Sequence, residues 1–143
     1  MARFYDLDEA NETIPEVRTI LESLRDQRAE LIRLRDEVLA HANEDEVRGE
    51  GRGEATTEAK IDADVRVLRL RMQGVIDRMQ AGVLRIDELG ITLREIETGL
   101  IDFPALVAGR QVWLCWRLGE DDVAWWHELG EGFSGRQPLI ELH

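Results

Sequence analysis

The chain has 143 residues, which is enough for one domain with a real core but not for two large ones, and we expect a single domain over 1–143. Its formal net charge of -12 argues against a nucleic acid or an anionic membrane surface as a partner, because both would repel it. Charged residues make up 34% of the sequence and hydrophobic residues 43%, which excludes disorder throughout and is typical of a protein with long solvated helices.

The first sixteen residues, MARFYDLDEANETIPE, lack the basic, apolar and small-residue succession of a signal peptide. No stretch approaches the ~18 consecutive apolar residues of a membrane span. Cys115 is the only cysteine, so the chain forms neither an internal disulfide nor a zinc site of several cysteines. These features favour a cytoplasmic protein.

The first predicted helix covers residues 6–42. Two helix starts are predicted near its beginning: Asp6 with Glu9 caps a short first turn, and Thr13 to Glu16 form a capping box that has a proline in its first turn. Charges of both signs cover the outer faces of the helix. The inner face carries a heptad repeat typical of a coiled coil. Its a and d positions are Val17, Ile20, Leu24, Gln27, Leu31, Leu34, Val38 and His41.

Residues 43–57 contain three glycines and an excess of acidic side chains, which predicts a flexible acidic connector. This segment lacks the residue order of an EF-hand, so a calcium site there is disfavoured. A second helix is predicted over residues 58–89, because apolar residues recur at steps of four and three from Ile61 to Leu89, and Gly90 favours its end. The two helices should pack antiparallel as a long coiled-coil helical hairpin.

Residues 91–129 are predicted to form a small antiparallel sheet. Short apolar runs broken by Gly99 and Pro104 indicate one or two brief strands. Two denser runs, 112–118 and 123–129, flank the turn sequence GEDD and predict a β-hairpin. The tail, residues 130–143, is expected to be irregular and to fold back over the sheet through Phe133, Leu139 and Ile140. The predicted fold class is therefore α+β and predominantly helical.

The pairing register of this hairpin decides which side chains share a face. A turn with an even number of residues groups His127 with Trp116 and Trp125 on one apolar face. A turn with an odd number mixes the faces, which burial disfavours, so we predict the even register. Cys115 then points to the opposite face, which excludes a thiolate–imidazole catalytic pair with His127. That opposite face also carries Trp113, Arg117, Trp126 and Glu128.

The sequence carries only weak signals for catalytic or metal-binding residues. Cys115 is interpreted as a small buried apolar residue, since the predicted register places no activating base beside it. His127 is interpreted as a core histidine, and with Glu128 it is a weak candidate for a metal site, because no second histidine is suitably spaced. The sequence has no nucleotide-binding, serine-hydrolase, zinc-protease or CxxC motif. No catalytic residue and no cofactor are predicted.

Both ends of the sequence resemble one known family. The opening FYDLDEANETIPEVR and the closing GLIDFPALVAGRQVWLCWRLGEDDVAWWHELGEGFSGRQPL are similar to the two ends of an uncharacterised prokaryotic family, domain of unknown function 2203. The resemblance covers nearly the whole chain and implies no established activity. The matching residues are Glu9, Ala10, Asn11, Pro15, Gly99, Asp102, Phe103, Pro104, Leu114, Cys115, Trp116, Arg117, Gly119, Glu120, Trp126, His127, Glu128, Gly132, Phe133, Arg136 and Pro138.

Two kinds of function are expected. The first is a non-enzymatic interaction module, a homo-oligomer with a dimer favoured or a complex with another protein, that uses the helical hairpin and a tryptophan-rich sheet face. The alternative is a small-ligand or metal-binding protein, or an enzyme, with a site near Asp102, Arg117, His127 and Glu128. Binding of nucleic acid through the second helix is disfavoured by the net charge. The full candidate set for a ligand or an interface is Asp102, Trp113, Cys115, Arg117, Glu120, Trp126, His127, Glu128 and Arg136.

Overall fold

A computed structural model describes residues 3–49 and 55–141, with side chains at 3–43 and 58–140. Two long helices precede a five-stranded antiparallel sheet, which confirms the predicted α+β class and helical hairpin. The helices are α1 (Leu7–Gly49) and α2 (Ala55–Glu88). The strands are β1 (Thr92–Glu95), β2 (Leu100–Val107), β3 (Arg110–Arg117), β4 (Trp125–His127) and β5 (Gln137–Pro138).

Helix α1 has one start rather than two. The Asp6 side chain accepts a hydrogen bond from the backbone N–H of Glu9 at 2.7 Å, as an N-cap does. The predicted second start at Thr13 is wrong: Pro15 lies inside a continuous helix, and the Thr13 hydroxyl donates to the carbonyl of Glu9 instead of capping. Pro15 is the ninth residue of the helix, beyond the first turn, so the helix continues through it without the hydrogen bond from residue 15 to the carbonyl of Asn11.

The ends of the two helices differ from the predicted ends at 42 and 58. Helix α1 runs on to Gly49, and α2 begins at Ala55. Most of the segment interpreted as a connector is therefore helical, since its polar residues suit a solvated helix as well as a loop. The remaining part, 50–54, lies outside the described residues. Within the part of the chain that is described, neither helix offers a segment long and apolar enough to cross a membrane.

The chain divides into two compact units, and the smaller one is Asp26–Gln80. Its core is formed by Leu34, Leu68 and Val75, which are buried. The half-exposed ion pair between Arg78 and Glu30, at 4.0 Å, adds little stability. Leu31, Val38, Met72 and Met79 pack against this core as partly buried neighbours. The helical hairpin predicted from the apolar spacing therefore packs through the residues that the spacing identified. Its coiled-coil geometry stays a prediction.

The other unit comprises Met1–Arg25 and Ala81–His143. Here the helices approach closely at Gly82, where an added Cβ would lie 3.2 Å from Leu24. The chain start is fixed on the sheet, because the backbone N–H of Tyr5 donates to the carbonyl of Pro104 at 2.7 Å and its ring meets Phe103 edge-on at 5.0 Å. We call this side of the sheet the helix face; it carries Ile101, Phe103, Leu114, Trp116 and Trp126.

The sheet is a meander in the order β1-β2-β3-β4-β5. The last strand corrects the prediction of an irregular tail, since Gln137 and Pro138 pair with β4. Residues 129–136 fold over the second side of the sheet, where Arg136 lies 4.3 Å from the ring centre of Trp125. We call this side the tail face; it carries Asp102, Trp113, Cys115, Trp125 and His127.

The predicted register of β3 with β4 is wrong by one residue. Cys115 lies opposite Trp125, and Trp113 lies opposite His127. The prediction assumed that only one face is buried, whereas helices cover one face and the tail covers the other, so burial does not select the register. The turn is also not tight: residues 118–124 connect the strands, and the N–H of Leu118 donates to the carbonyl of Gly99.

Candidate metal centre

The corrected register brings Asp102, Cys115 and His127 together. They come from the three adjacent strands β2, β3 and β4 and share the tail face, with Asp102 directly opposite Cys115. Each is at least 98% buried. One carboxylate oxygen, the thiol sulfur and one ring nitrogen all lie within 4.8 Å of one another. The predicted separation of Cys115 from His127 is therefore wrong, for the same reason as the register.

The carboxylate of Asp102 has one bound and one free oxygen. Its Oδ2 accepts a hydrogen bond from Nε of Arg94 at 2.8 Å. Its Oδ1 has no aligned hydrogen bond from any described residue, although Nε2 of His127 lies only 3.0 Å away. A buried charged oxygen without a hydrogen bond is costly, so Oδ1 requires a proton or a cation beside it.

The ring of His127 is oriented by its second nitrogen. Nδ1 lies 2.9 Å from the backbone carbonyl of Glu128, which only accepts, so Nδ1 carries the proton. In the neutral ring Nε2 then presents a lone pair towards Oδ1 of Asp102. Two lone pairs at 3.0 Å repel each other until a proton or a metal ion lies between them. A metal-ligating histidine typically has this same hydrogen bond from its remaining nitrogen to a carbonyl or a carboxylate.

Cys115 is not a nucleophile in this setting. Burial, followed by the negative charge of Asp102, raises the pKa of its thiol to about 11. The guanidinium of Arg136 opposes this effect with Nη1 at 3.9 Å from the sulfur. Arg136 is held there by Glu120, whose two carboxylate oxygens both accept from it. The thiol is therefore protonated at neutral pH unless a metal ion displaces its proton.

The three ligand atoms fit a tetrahedral metal ion with small adjustments. Bonds of about 2.0–2.3 Å to oxygen, nitrogen and sulfur place tetrahedral ligand atoms about 3.3–3.7 Å apart. The present separations are at most 4.8 Å, and one is 3.0 Å. Each ligand residue is also fixed by a separate partner: Arg94 for Asp102, the Glu128 carbonyl for His127, and Arg136 for Cys115. Three protein ligands leave the fourth position of the metal open.

A cavity of about 370 Å³ adjoins this cluster. Asp102 and Cys115 form part of its wall, whereas His127 is not among the lining residues. The other side is the turn of the tail, from Leu129 to Phe133. The tail thus encloses one side of the cluster and leaves space beside it.

The remaining predicted residues divide between the two faces. Trp113 lies on the tail face beneath Arg94, whose guanidinium carbon is 5.0 Å from its ring centre. Arg117 lies over the ring of Phe133 at 4.9 Å and does not reach the cluster. Trp126 is on the helix face, contrary to the predicted grouping, and Glu128 follows the end of β4. The Glu128 carboxylate is paired with Arg110 at 2.6 Å, so only its backbone serves the site.

Sequence reasoning anticipated that the tail folds over the sheet but missed Arg94 and the place of the tail beside the cluster. Arg94 contacts Asp102 only because β1 pairs with β2, with an irregularity between Leu93 and Glu95. No local pattern indicates that contact. Phe133 carries a signal, since it belongs to the matched closing segment, but its place beside Asp102 depends on the fold of the tail.

Comparison with known proteins adds a family but no activity. A family model described as an uncharacterized conserved protein, DUF2203, matches residues 3–139. This range includes the three cluster residues and the turn of the tail. No curated protein and no solved structure matches the chain.

Proposed function

The chain belongs to DUF2203, a family of uncharacterized conserved proteins, and we propose from the geometry of its buried site that it binds a divalent transition-metal ion. The ligands are Oδ1 of Asp102, Sγ of Cys115 and Nε2 of His127. This is the alternative function considered from the sequence, with Cys115 in place of Glu128 as a ligand.

One observation carries the proposal. Nε2 of His127 and Oδ1 of Asp102 face each other at 3.0 Å in a buried site, without an aligned hydrogen bond, and the Cys115 sulfur completes a triangle with them. A lone buried histidine or cysteine has an ordinary packing explanation. Packing alone does not explain why three ligand atoms converge on one point, each of them oriented by a separate neighbour.

The donor set favours zinc or a similar borderline ion. Calcium and magnesium prefer oxygen ligands, whereas a thiolate with an imidazole suits zinc, cobalt or nickel. A divalent ion neutralises the charges of Asp102 and the Cys115 thiolate, which removes the cost of burying them together. The thiol must be reduced to serve, so a reducing compartment such as the cytoplasm belongs to this proposal.

The test is metal content and affinity. Protein purified without chelator and then loaded with zinc is expected to hold one ion per chain by native mass spectrometry. His127→Ala, Cys115→Ser and Asp102→Asn should each weaken zinc binding at least about 100-fold in competition with a coloured chelator, since removal of a supporting residue alone costs 10–100-fold. His41→Ala, a histidine in the other unit, is the matched control and should bind zinc normally.

Two outcomes contradict the metal site. One is a wild-type protein that binds no zinc at micromolar concentration. The other is binding that persists in all three variants, which would place the ion elsewhere on this acidic surface. Circular dichroism of each variant separates loss of a ligand from loss of the fold.

Self-association is a second candidate, favoured by apolar side chains of α2. The tail covers the sheet face that was expected to need either the tail or a partner, which leaves the apolar surface of the helix for self-association. Its exposed large apolar residues are Val67, Leu70, Val83 and Leu84, with 40–68% of their surface accessible. Light scattering across concentration is expected to show a dimer that Leu70→Ser weakens. The control Ile140→Ser, at a residue 85% exposed, should not change the mass. A monomer at all concentrations contradicts this candidate.

A further inference from the structure

We propose that the cavity beside the metal centre takes a small organic molecule through an oxyanion group, a carboxylate or a phosphate. One oxygen of that group fills the open position of the metal, and Arg94 binds the group from the side. This inference rests on the proposed metal site and names the ligand that it serves.

The cavity has the size and lining for such a molecule. Its volume of about 370 Å³ lies at the lower end of the range of small-ligand pockets, which is about 300–1,000 Å³. Leu100, Leu129 and Phe133 give it apolar walls. Asp102 and Cys115 lie at the metal end. A short apolar body with one charged end therefore fits better than a polar chain.

Arg94 provides the charge that recognises an anion. Its Nε is bound to Asp102, while no hydrogen bond from its two terminal nitrogens is found among the described residues. The side chain is 41% exposed, and the ring of Trp113, 5.0 Å from the guanidinium carbon, holds it against the sheet. The two terminal nitrogens match the geometry of a carboxylate or phosphate group.

The charge balance of the loaded site also favours an anion. A divalent ion offsets the negative charges of its ligands Asp102 and Cys115. Arg136 is offset by Glu120. Because the metal ion then balances the charge of Asp102, the positive charge of Arg94 is no longer balanced by that carboxylate. Glu131, the one acidic residue of the cavity lining besides Asp102, is the charge that opposes an anion there; its carboxylate lies near Gly135, 2.7 Å from where a Cβ would stand.

Cobalt(II) tests this inference because its absorption bands change with the ligands that coordinate it. Cobalt in place of zinc should give visible d–d bands and a near-ultraviolet thiolate-to-metal band. Addition of acetate, hexanoate or inorganic phosphate is expected to shift the d–d bands to saturation. Hexanoate should bind at least about tenfold more tightly than acetate if the apolar walls hold the chain. If phosphate saturates the shift of the d–d bands at a lower concentration than both carboxylates do, the ligand is a phosphate compound.

Arg94→Gln and Arg94→Ala should each weaken the anion response at least tenfold, and Gln retains a donor for Asp102. Arg110→Ala is the matched control. Arg110 also pairs with a carboxylate, that of Glu128, and lies 5.9 Å from a tryptophan ring centre, but it is outside the cavity lining. This variant should leave the anion response unchanged.

The outcomes separate the two proposals. If cobalt gives no thiolate band, the metal site itself is wrong. If the bands are present but no anion shifts them, or if Arg94→Gln responds like the wild type, the metal site stands and the anion site is wrong. A shift that needs molar anion and is equal in Arg94→Gln indicates an adventitious ion only, which also overturns the anion site.

Discussion

The chemistry of Cys115 is set by its surroundings rather than by the residue type. It is 1% exposed, and its thiol pKa is raised to about 11 from an ordinary value of 9.0. A two-unit rise leaves about 100-fold less thiolate at pH 8, and the greater nucleophilicity of the remaining thiolate restores about tenfold. We therefore expect iodoacetamide to label Cys115 in the folded, metal-free protein at least about tenfold more slowly than in urea. Mass spectrometry of timed samples measures this ratio.

Equal labelling rates in the folded and the unfolded protein would mean that the thiol is neither buried nor raised in pKa. A control peptide that carries the sequence around Cys115 corrects for the effect of urea on the reagent. The prediction concerns the metal-free protein, so a chelator is present throughout.

The residues of the centre were all named from the sequence, but their grouping was not. Asp102, Cys115 and His127 each stood in the candidate set as a polar or reactive residue within an apolar strand. Their convergence depends on a register that shifts every side chain to the other face if it slips by one residue. Tryptophans on both faces of the hairpin left the hydrophobic pattern without a preference, so the sequence could not determine that register.

At the scale of elements, the contact of Gly99 with Leu118 joins the start of β2 to the end of β3. Gly99 has a φ of 66°, and an added Cβ would lie 2.4 Å from the Leu118 side chain. Gly109, at the other end of the β2–β3 pair, has a φ of 78° with nothing near a Cβ. Alanine at Gly109 costs about 1–2 kcal/mol for the left-handed backbone alone. Alanine at Gly99 should cost at least ~1 kcal/mol more, because it also displaces Leu118.

Urea denaturation of the two variants measures the difference in the free energy of unfolding. Equal losses would show that Leu118 moves aside freely and that this contact does not hold the end of β3. The two glycines share a backbone conformation, so each serves as a control for the other.

The elements themselves were predictable to different degrees. The helices follow from their apolar spacing, and the buried Leu34, Leu68 and Val75 lie on the predicted stripes. Their ends were misplaced because polar, glycine-containing sequence is compatible with a solvated helix as well as with a loop. Strand β5 has only two residues and is held by pairing with β4, so no local pattern identifies it.

At the scale of the whole molecule, a bound ion should stabilise the fold by mass action. Zinc that binds only the native state adds about 2.7 kcal/mol when its free concentration is 100 times the Kd. For a chain of this length we expect the melting temperature to rise by about 5–10 °C. Calorimetry with and without zinc measures the rise. His127→Ala should show none, and a chelator should reverse it in the wild type.

An equal rise in His127→Ala and in the wild type would contradict binding at this centre, since the stabilisation would then come from other acidic residues. His41→Ala is again the matched control and should keep the full rise. The comparison of the three proteins assigns the stabilisation to the site rather than to the acidic surface.

The three ligands also occupy consecutive strands of the meander, at one position in each. An ion held by Asp102, Cys115 and His127 therefore ties three strands at a single point. A chain in which β4 slips by one residue carries His127 on the helix face and has no third ligand. The ion would then favour the one pairing that brings all three ligands together as the sheet forms.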